Sequence, residues 1–363
     1  MGLGCRHHHR HHHLVQLEVK PLQYGVFSRS ARLIAGVFFL CVIGLTTGGC
    51  ALIIPQTDKL SSQWPDGVPD RAEIADAPFF PQDEYQCGPA ALATALAHYK
   101  VPVTPEDLVD KVYLPARRGS LQIEMLAAPR TFGIVSYKLA ASFPDLLREV
   151  AGGNPVIVLQ DYGVWPVSIW HYAVVVGYDR AKGEVLLRSG VKERLLIPFA
   201  VFEYTWKESD YWAMVTTPPA RLPATAAEAP YLEALLALER VAGLGAAAAP
   251  VAYAAFLERW PDNLPAAIGL ANQHYAAGRL GDAETVLRRA AQRHPEDAVV
   301  QNNLAQTLSD QGRNEEALGV IDRAFARPGR FSAEVRETRA TILQRLGTDL
   351  INLRASTTMR PIE

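Results

Sequence analysis

The last third of the chain repeats itself with a period of 34 residues. Two units, 264–297 and 298–331, carry the same or a closely related residue at matching positions, with Gly278 and Gly312 in the middle of each unit. Ala and Leu recur at helical spacing on both sides of these glycines, which predicts two helices per unit joined by a tight turn. Since one helix pair cannot bury its apolar face alone, the units must stack. The sequence therefore predicts an all-α solenoid over 227–347, with degenerate helices flanking the two clear units.

This period, with glycine at the turn and alanine at the helix crossings, resembles the tetratricopeptide repeat. Stacked repeats of that kind form a concave groove, and the resemblance implies that the groove holds a peptide or a partner protein. A domain that only stabilises the rest of the chain is the alternative. A proline-rich linker is expected at 218–226, before the solenoid, and a tail at 348–363, after it.

Residues 76–217 show a second pattern, in which helices come first and strands follow. Helical spacing begins at Cys87, at Thr104 as a cap and at Ser120 as another cap. Strands are expected over 133–139, 156–159, 171–178, 184–187, 193–197 and 211–215, with a helix over 143–150. Helices followed by an antiparallel meander predict an α+β domain.

Cys87 stands at the start of the first of these helices. Gly88 and Pro89 follow it, and proline is favoured in the first helical turn, where no backbone N–H is needed. The free N–H groups and the dipole of a helix N-terminus favour an anion, so the thiol is expected to ionise readily. That is what a cysteine nucleophile requires; the alternative is a small, buried apolar residue.

His171 opens the predicted strand that is richest in β-branched residues, directly after the loop 165–170. A side chain at a strand end beside a loop can reach a cleft. A thiol and an imidazole are the two groups that thiolate chemistry needs, and they meet in the fold rather than in the sequence. A core or surface histidine is the alternative.

The stretch from Gln82 to Cys87-Gly-Pro-Ala-Ala-Leu, with His171-Tyr-Ala-Val-Val-Val-Gly-Tyr, resembles the bacteriocin-processing cysteine peptidases, papain-like domains that remove double-glycine leader peptides. The resemblance implies Cys87 as nucleophile, His171 as general base and Gln82 as oxyanion donor beside the Cys87 N–H. It also implies an Asp or Asn on the strand after the histidine, and this chain has none there. Ser189 and Asp161 are both candidates to accept the imidazole N–H.

The first 49 residues predict an export signal. Arg29 and Arg32 flank an apolar run that is shorter than the about 20 residues needed to span a bilayer, and small residues lead to Cys50. This resembles a bacterial lipoprotein signal, which implies lipidation of Cys50 and a location on the periplasmic side of the outer membrane. An uncleaved membrane anchor is the alternative. The His-rich run 7–13 could bind metal, but its place before a signal favours a tail, an expression tag or a translation start assigned too far upstream.

Residues 50–75 carry several prolines among polar residues and predict an extended linker after the lipidated cysteine. The formal net charge of -2 gives no electrostatic case for nucleic acid, and no GxxxxGK[ST] loop indicates a nucleotide. Nothing in the sequence indicates a metal or an organic cofactor.

These features together predict a membrane-anchored cysteine peptidase whose repeat domain binds a protein. Two alternatives keep the same fold. One is a catalytically weak or inactive peptide-binding scaffold in the cell envelope, and the other is a cell-wall amidase or acyl transferase that uses the same Cys/His pair.

Overall fold

The structure is a computed structural model that describes residues 53–82 and 86–358, with side chains up to residue 351. The export signal predicted over 1–49 and the lipidated Cys50 lie outside these residues and stay predictions. None of the helices in the described part combines the length and the hydropathy that a membrane-spanning helix needs.

An antiparallel sheet of seven strands forms the centre of the first domain. Its strands are β1 (Arg71–Glu73), β4 (Val135–Lys138), β5 (Val156–Asp161), β6 (Trp170–Asp179), β7 (Glu184–Ser189), β8 (Lys192–Pro198) and β9 (Ala213–Thr217). The order is β4-β9-β5-β6-β7-β8, and β1 pairs with the end of β6 that β5 does not reach. Two short strands, β2 (Tyr113–Leu114) and β3 (Gly119–Ser120), pair separately.

The last strand departs from the predicted meander. Instead of lying beside β8, β9 returns across the domain and lies between β4 and β5. All five residues of β9 are buried, and a strand without a solvent-facing side needs neighbours on both edges and cover on both faces. A helix that the sequence pattern did not reveal, Phe199–Trp206, makes this return possible.

The helices of the first domain pack against this sheet. They are α1 (Pro55–Ser62), α2 (Cys87–His98), α3 (Pro105–Val112), α4 (Gln122–Ala127), α5 (Phe143–Ala151) and α6 (Phe199–Trp206). The predicted capping box of α3, Thr104 with Asp107, is present. Ser120 does not cap α4, however, because Leu121 takes the cap position and Ser120 belongs to β3. The predicted α+β class is confirmed.

The segment 50–75 differs from the predicted extended linker. Its described part contains α1 and β1, so the prolines begin a helix rather than keep the chain extended. The buried carboxylate of Glu203 fastens α1 to the domain, since it accepts the backbone N–H groups of Gln56 at 3.0 Å and Thr57 at 2.6 Å. This segment is therefore part of the domain.

The rest of the described chain is helical, as predicted. Its helices are α7 (Glu228–Glu239), α8 (Leu244–Arg259), α9 (Leu264–Ala276), α10 (Leu280–Arg293), α11 (Ala298–Asp310), α12 (Asn314–Phe325) and α13 (Ser332–Thr358). Both 34-residue units are helix pairs. Gly278 and Gly312 adopt positive φ angles of 74° and 80° between the paired helices, which explains why glycine recurs there. The last helix, α13, extends through part of the predicted tail.

The proline-rich segment 218–226 is held by a buried carboxylate. Glu149 accepts the backbone N–H groups of Ala224 at 3.1 Å and Thr225 at 2.7 Å. Beyond this segment, Tyr231 of α7 packs edge to face on Tyr137 of β4, with ring centroids 5.7 Å apart. The core of the sheet continues without a break into the first helices of the solenoid. The two domains therefore share one hydrophobic core.

Candidate active site

Cys87 is the first residue of α2, and this helix packs against the centre of β6. Its ten residues from Cys87 to Leu96 are all buried, because a run of small Ala side chains lets the helix lie close to the sheet. The backbone N–H groups of Gly88, of Tyr172 and of Cys87 itself point at the sulfur and lower the pKa of the thiol. Burial raises the pKa by more, so the net shift is upward. The expectation that the helix N-terminus makes the resting thiol ionise readily is thus wrong, since desolvation outweighs the N–H dipoles.

Glycine at position 88 has a packing reason. A Cβ atom there would lie 2.2 Å from Ser120 Oγ and 2.6 Å from Ser120 Cβ. The β3 strand therefore presses directly on the residue after the cysteine. This close approach connects the two-stranded β2–β3 pair to the candidate site, a contact that the sequence pattern did not indicate.

His171 lies near the start of β6, one residue before the Tyr172 N–H that points at the Cys87 sulfur. Its Nε2 atom is 2.8 Å from Ser189 Oγ at the end of β7. Burial alone lowers the pKa of the imidazole to about 4. Among the described residues no carboxylate opposes that shift, so His171 is neutral at pH 7.

Tyr162 completes the surroundings of the imidazole, and sequence reasoning missed it. Its ring stacks on His171, with centroids 5.2 Å apart and an interplanar angle of 26°. Its hydroxyl donates to Gln160 Oε1 at 3.0 Å and also interacts with the Ser189 hydroxyl. Gln160 in turn donates through Nε2 to Thr205 Oγ1 at 2.8 Å.

These bonds run in one direction. Since the Tyr162 hydroxyl donates to Gln160, its oxygen is the acceptor for the Ser189 proton. Ser189 then accepts from His171 Nε2–H. The chain of neutral groups therefore fixes one tautomer of His171, with the proton on Nε2 and the lone pair on Nδ1. A lone pair on Nδ1 is what a base for the thiol needs.

Asp161, the other candidate orienter, is not brought to His171. Its Oδ1 accepts the N–H groups of Gly163 at 2.8 Å and Ile169 at 2.7 Å, and its side chain stabilises the loop between β5 and β6. In the strand register His171 pairs with Gln160, so the neighbouring Asp161 faces the opposite side of the sheet. Of the two candidates, Ser189 is the one in contact.

Gln82 lies beside the end of β7, where its backbone N–H donates to Gly190 O at 3.2 Å. Its Oε1 is buried and has no hydrogen-bond partner among the described residues. A half-turn of the amide would present Nε2 to the same volume, and that N–H end is the one that can stabilise an oxyanion. The structure places Gln82 next to the residue that follows Ser189, on the site side of the sheet edge.

Two family models match this chain. Residues 74–213 match the Peptidase_C39 like family, and residues 242–302 and 274–340 match a tetratricopeptide repeat. A comparison with curated proteins gave no match. The α+β fold, with a cysteine at a helix start and a histidine on the central sheet, defines the class of papain-like cysteine peptidase folds. Within that class, residues 74–213 form a Peptidase C39-like domain, and tetratricopeptide repeats follow it.

Several solved structures are similar in fold. One is a C39-like peptidase from Bacillus anthracis, at 17% identity and a TM-score of 0.35, covering 41% of this chain and 98% of that one. Another is a double glycine motif protease from an AMS/PCAT transporter in complex with its leader peptide, at 21% identity and a TM-score of 0.30, covering 39% and 91%. A third is the peptidase domain of Streptococcus ComA, a bifunctional ABC transporter of a quorum-sensing pathway, at 20% identity and a TM-score of 0.33, covering 39% and 98%.

Proposed function

We propose that this protein is a cysteine peptidase that cleaves a peptide or protein substrate, with Cys87 as nucleophile and His171 as base. One observation carries the proposal. The sulfur of Cys87 faces the Tyr172 N–H, one residue after His171, and Ser189 holds the imidazole in the tautomer that can take the thiol proton. The family match of residues 74–213 supports the same assignment.

The chemistry follows from two neutral groups. Nδ1 of His171 takes the thiol proton as the sulfur of Cys87 bonds to the substrate carbonyl carbon. The oxyanion that forms is stabilised by the Cys87 N–H and by the Gln82 amide. The imidazolium then protonates the leaving amine as the peptide C–N bond breaks. Water, deprotonated by His171, cleaves the thioester and releases the acid and the free thiol.

Hydrolysis of internally quenched peptides that contain Gly-Gly tests this proposal. The wild-type chain should cleave them and form a thioester at Cys87 that mass spectrometry detects. Cys87→Ala should abolish both, and His171→Ala should lower kcat by about 10²- to 10⁴-fold. Equal turnover by wild type and Cys87→Ala would refute the assignment.

A second candidate is a peptide-binding scaffold that is weakly active or inactive. The neutral hydroxyl of Ser189, where the resemblance implies a carboxylate or an amide, favours it, because a hydroxyl stabilises an imidazolium less than a carboxylate does. This candidate predicts that wild type binds the peptides without turnover.

We further propose that Cys50 is lipidated and that the protein is tethered in the cell envelope. Support comes from the signal-like sequence before Cys50 and from the short distance in sequence to the first described residue, Ile53. Metabolic labelling with a palmitate analogue should modify the wild-type protein and not Cys50→Ala. Unlabelled wild type in a labelling-competent host would contradict the tether.

The repeats are proposed to recruit the substrate or a partner protein through their concave face. The shared core between α7 and the sheet supports this role, since it fixes the groove relative to the site. Removal of residues 264–363 should then raise KM for a protein substrate and leave the turnover of a short peptide unchanged. An equal KM for the protein substrate would contradict recruitment.

A further inference from the structure

We propose that the hairpin between β5 and β6, residues 162–170, is the substrate-docking surface of the candidate site and that it takes apolar side chains of the polypeptide being cleaved. The proposal rests on the proposed peptidase function and deepens it by naming a substrate class. The hairpin carries a concentration of exposed large apolar side chains, with Trp165 at its tip 92% exposed. Such a patch beside a site indicates a surface that becomes covered.

The strand register aims this patch at the site. Asp161 pairs with Trp170, Tyr162 N–H donates to Ile169 O at 2.9 Å, and Val164 pairs with Val167. Alternate residues of a ladder share a face. Four apolar side chains therefore lie on the face that carries His171, in two cross-strand pairs: Tyr162 with Ile169, and Val164 with Val167. The apolar strip begins at the imidazole and runs outward to the tip.

The hairpin is built to hold this strip in place. Asp161 ties both of its arms through the N–H groups of Gly163 and Ile169. A Cβ at Gly163 would lie 2.0 Å from Val167 O, so the two arms approach as closely as glycine allows. A preformed apolar surface loses little conformational entropy when it is covered.

The chemistry of the strip selects its occupant. No residue from Tyr162 to Trp170 is charged, so the hairpin lacks the basic residues with which interfacial elements attract anionic lipid. Its continuity with His171 means that a polypeptide seated in the site must pass along it. A peptide with Leu, Ile or Phe side chains near the cleaved bond therefore fits better than a membrane surface or a second copy of this chain.

Binding to the full-length Cys87→Ala variant tests the proposal without requiring catalysis. The probes are two fluorescein-labelled peptides that carry Gly-Gly, one with Leu and Ile next to the glycines and one with Ser at those positions. Fluorescence anisotropy should show about tenfold tighter binding of the Leu/Ile peptide. Val167→Ser and Ile169→Ser should each remove most of that preference. Leu196→Ser on the edge strand β8 is the matched control, because Leu196 is 51% exposed and Ile169 57%.

Equal binding of the two peptides, or hairpin variants that keep the preference, would overturn the proposal. Hairpin-dependent binding to phosphatidylglycerol vesicles without a peptide preference would overturn it in favour of a membrane. Hairpin-dependent dimerisation on sedimentation would overturn it in favour of a second copy. Because the binding variant cannot catalyse, loss of peptide preference in Cys87→Ala together with Gly-Gly cleavage by wild type leaves the peptidase assignment standing.

Discussion

Replacing Ser189 by Asp should convert a neutral catalytic pair into one that can form an ion pair. Ser189 Oγ lies 2.8 Å from His171 Nε2, so a carboxylate at this position would lie within direct reach of the imidazole. An opposite charge at that range raises the pKa of a histidine by about 1–3, at about 1.4 kcal/mol for each pH unit. The pKa of His171 would then rise from about 4 into roughly the range 5–7.

The sign of the effect on Cys87 follows. In the wild type, burial disfavours both the imidazolium and the thiolate, so the thiol keeps its proton at pH 7. A carboxylate at position 189 stabilises the imidazolium, and the imidazolium in turn stabilises the thiolate. Thiolate should therefore form at lower pH in Ser189→Asp than in the wild type.

The rate of Cys87 alkylation by iodoacetamide, followed by mass spectrometry of the Cys87 peptide across pH 5–10, measures this shift. The wild-type rate should rise only at alkaline pH, and Ser189→Asp should show an added reactive limb that begins between about pH 5 and 7. Ser189→Asn is the matched control, with similar size and no charge. Identical profiles for the Asp and Asn variants would refute the assignment of Ser189 as the partner of His171.

Three further outcomes follow from the geometry. Gln82→Ala should lower kcat by about 10²-fold with little change in KM, measured on the Gly-Gly peptides, and a change in KM alone would exclude oxyanion stabilisation. Glu149→Gln should lower the free energy of unfolding by about 2–4 kcal/mol in urea titrations, because it weakens a buried acceptor of several N–H groups, whereas the exposed Glu233→Gln should change it by less than about 0.5 kcal/mol. Gly88→Ala should cost about 1–3 kcal/mol, and Ser120→Gly in the same chain should restore part of it; additive costs would show that the two residues do not compete for one space.

The sequence predicted the helical repeats well because their signal is local. A helix pair is specified within 34 residues by apolar spacing and by a glycine at a fixed place, and Gly278 and Gly312 occupy left-handed turns as that pattern requires. The start of α2 at Cys87 and of β6 near His171 follows from equally local patterns. The return of β9 to the middle of the sheet was not predictable in this way, since strand order depends on which faces are covered in the complete fold.

The polar parts of the site show the same limit more sharply. Ser189 could be named as a candidate from its place on the strand after His171, but its choice over Asp161 depends on which face of the sheet each residue occupies. Tyr162 escaped notice because it lies nine residues before His171 in sequence and meets it only through the pairing of β5 with β6.

Burial explains why the sequence also misjudged the thiol. A helix N-terminus lowers the pKa of a cysteine where the sulfur remains hydrated, and Cys87 is only 7% exposed. The same desolvation acts on His171, which means that charge separation between thiol and imidazole is costly until a substrate carbonyl accepts the sulfur. A site of this kind would keep its thiol unreactive towards small electrophiles while it waits for a peptide. This ties the low reactivity of Cys87 to the neutral partner Ser189, and it is why the Ser189→Asp variant should be the more reactive of the two.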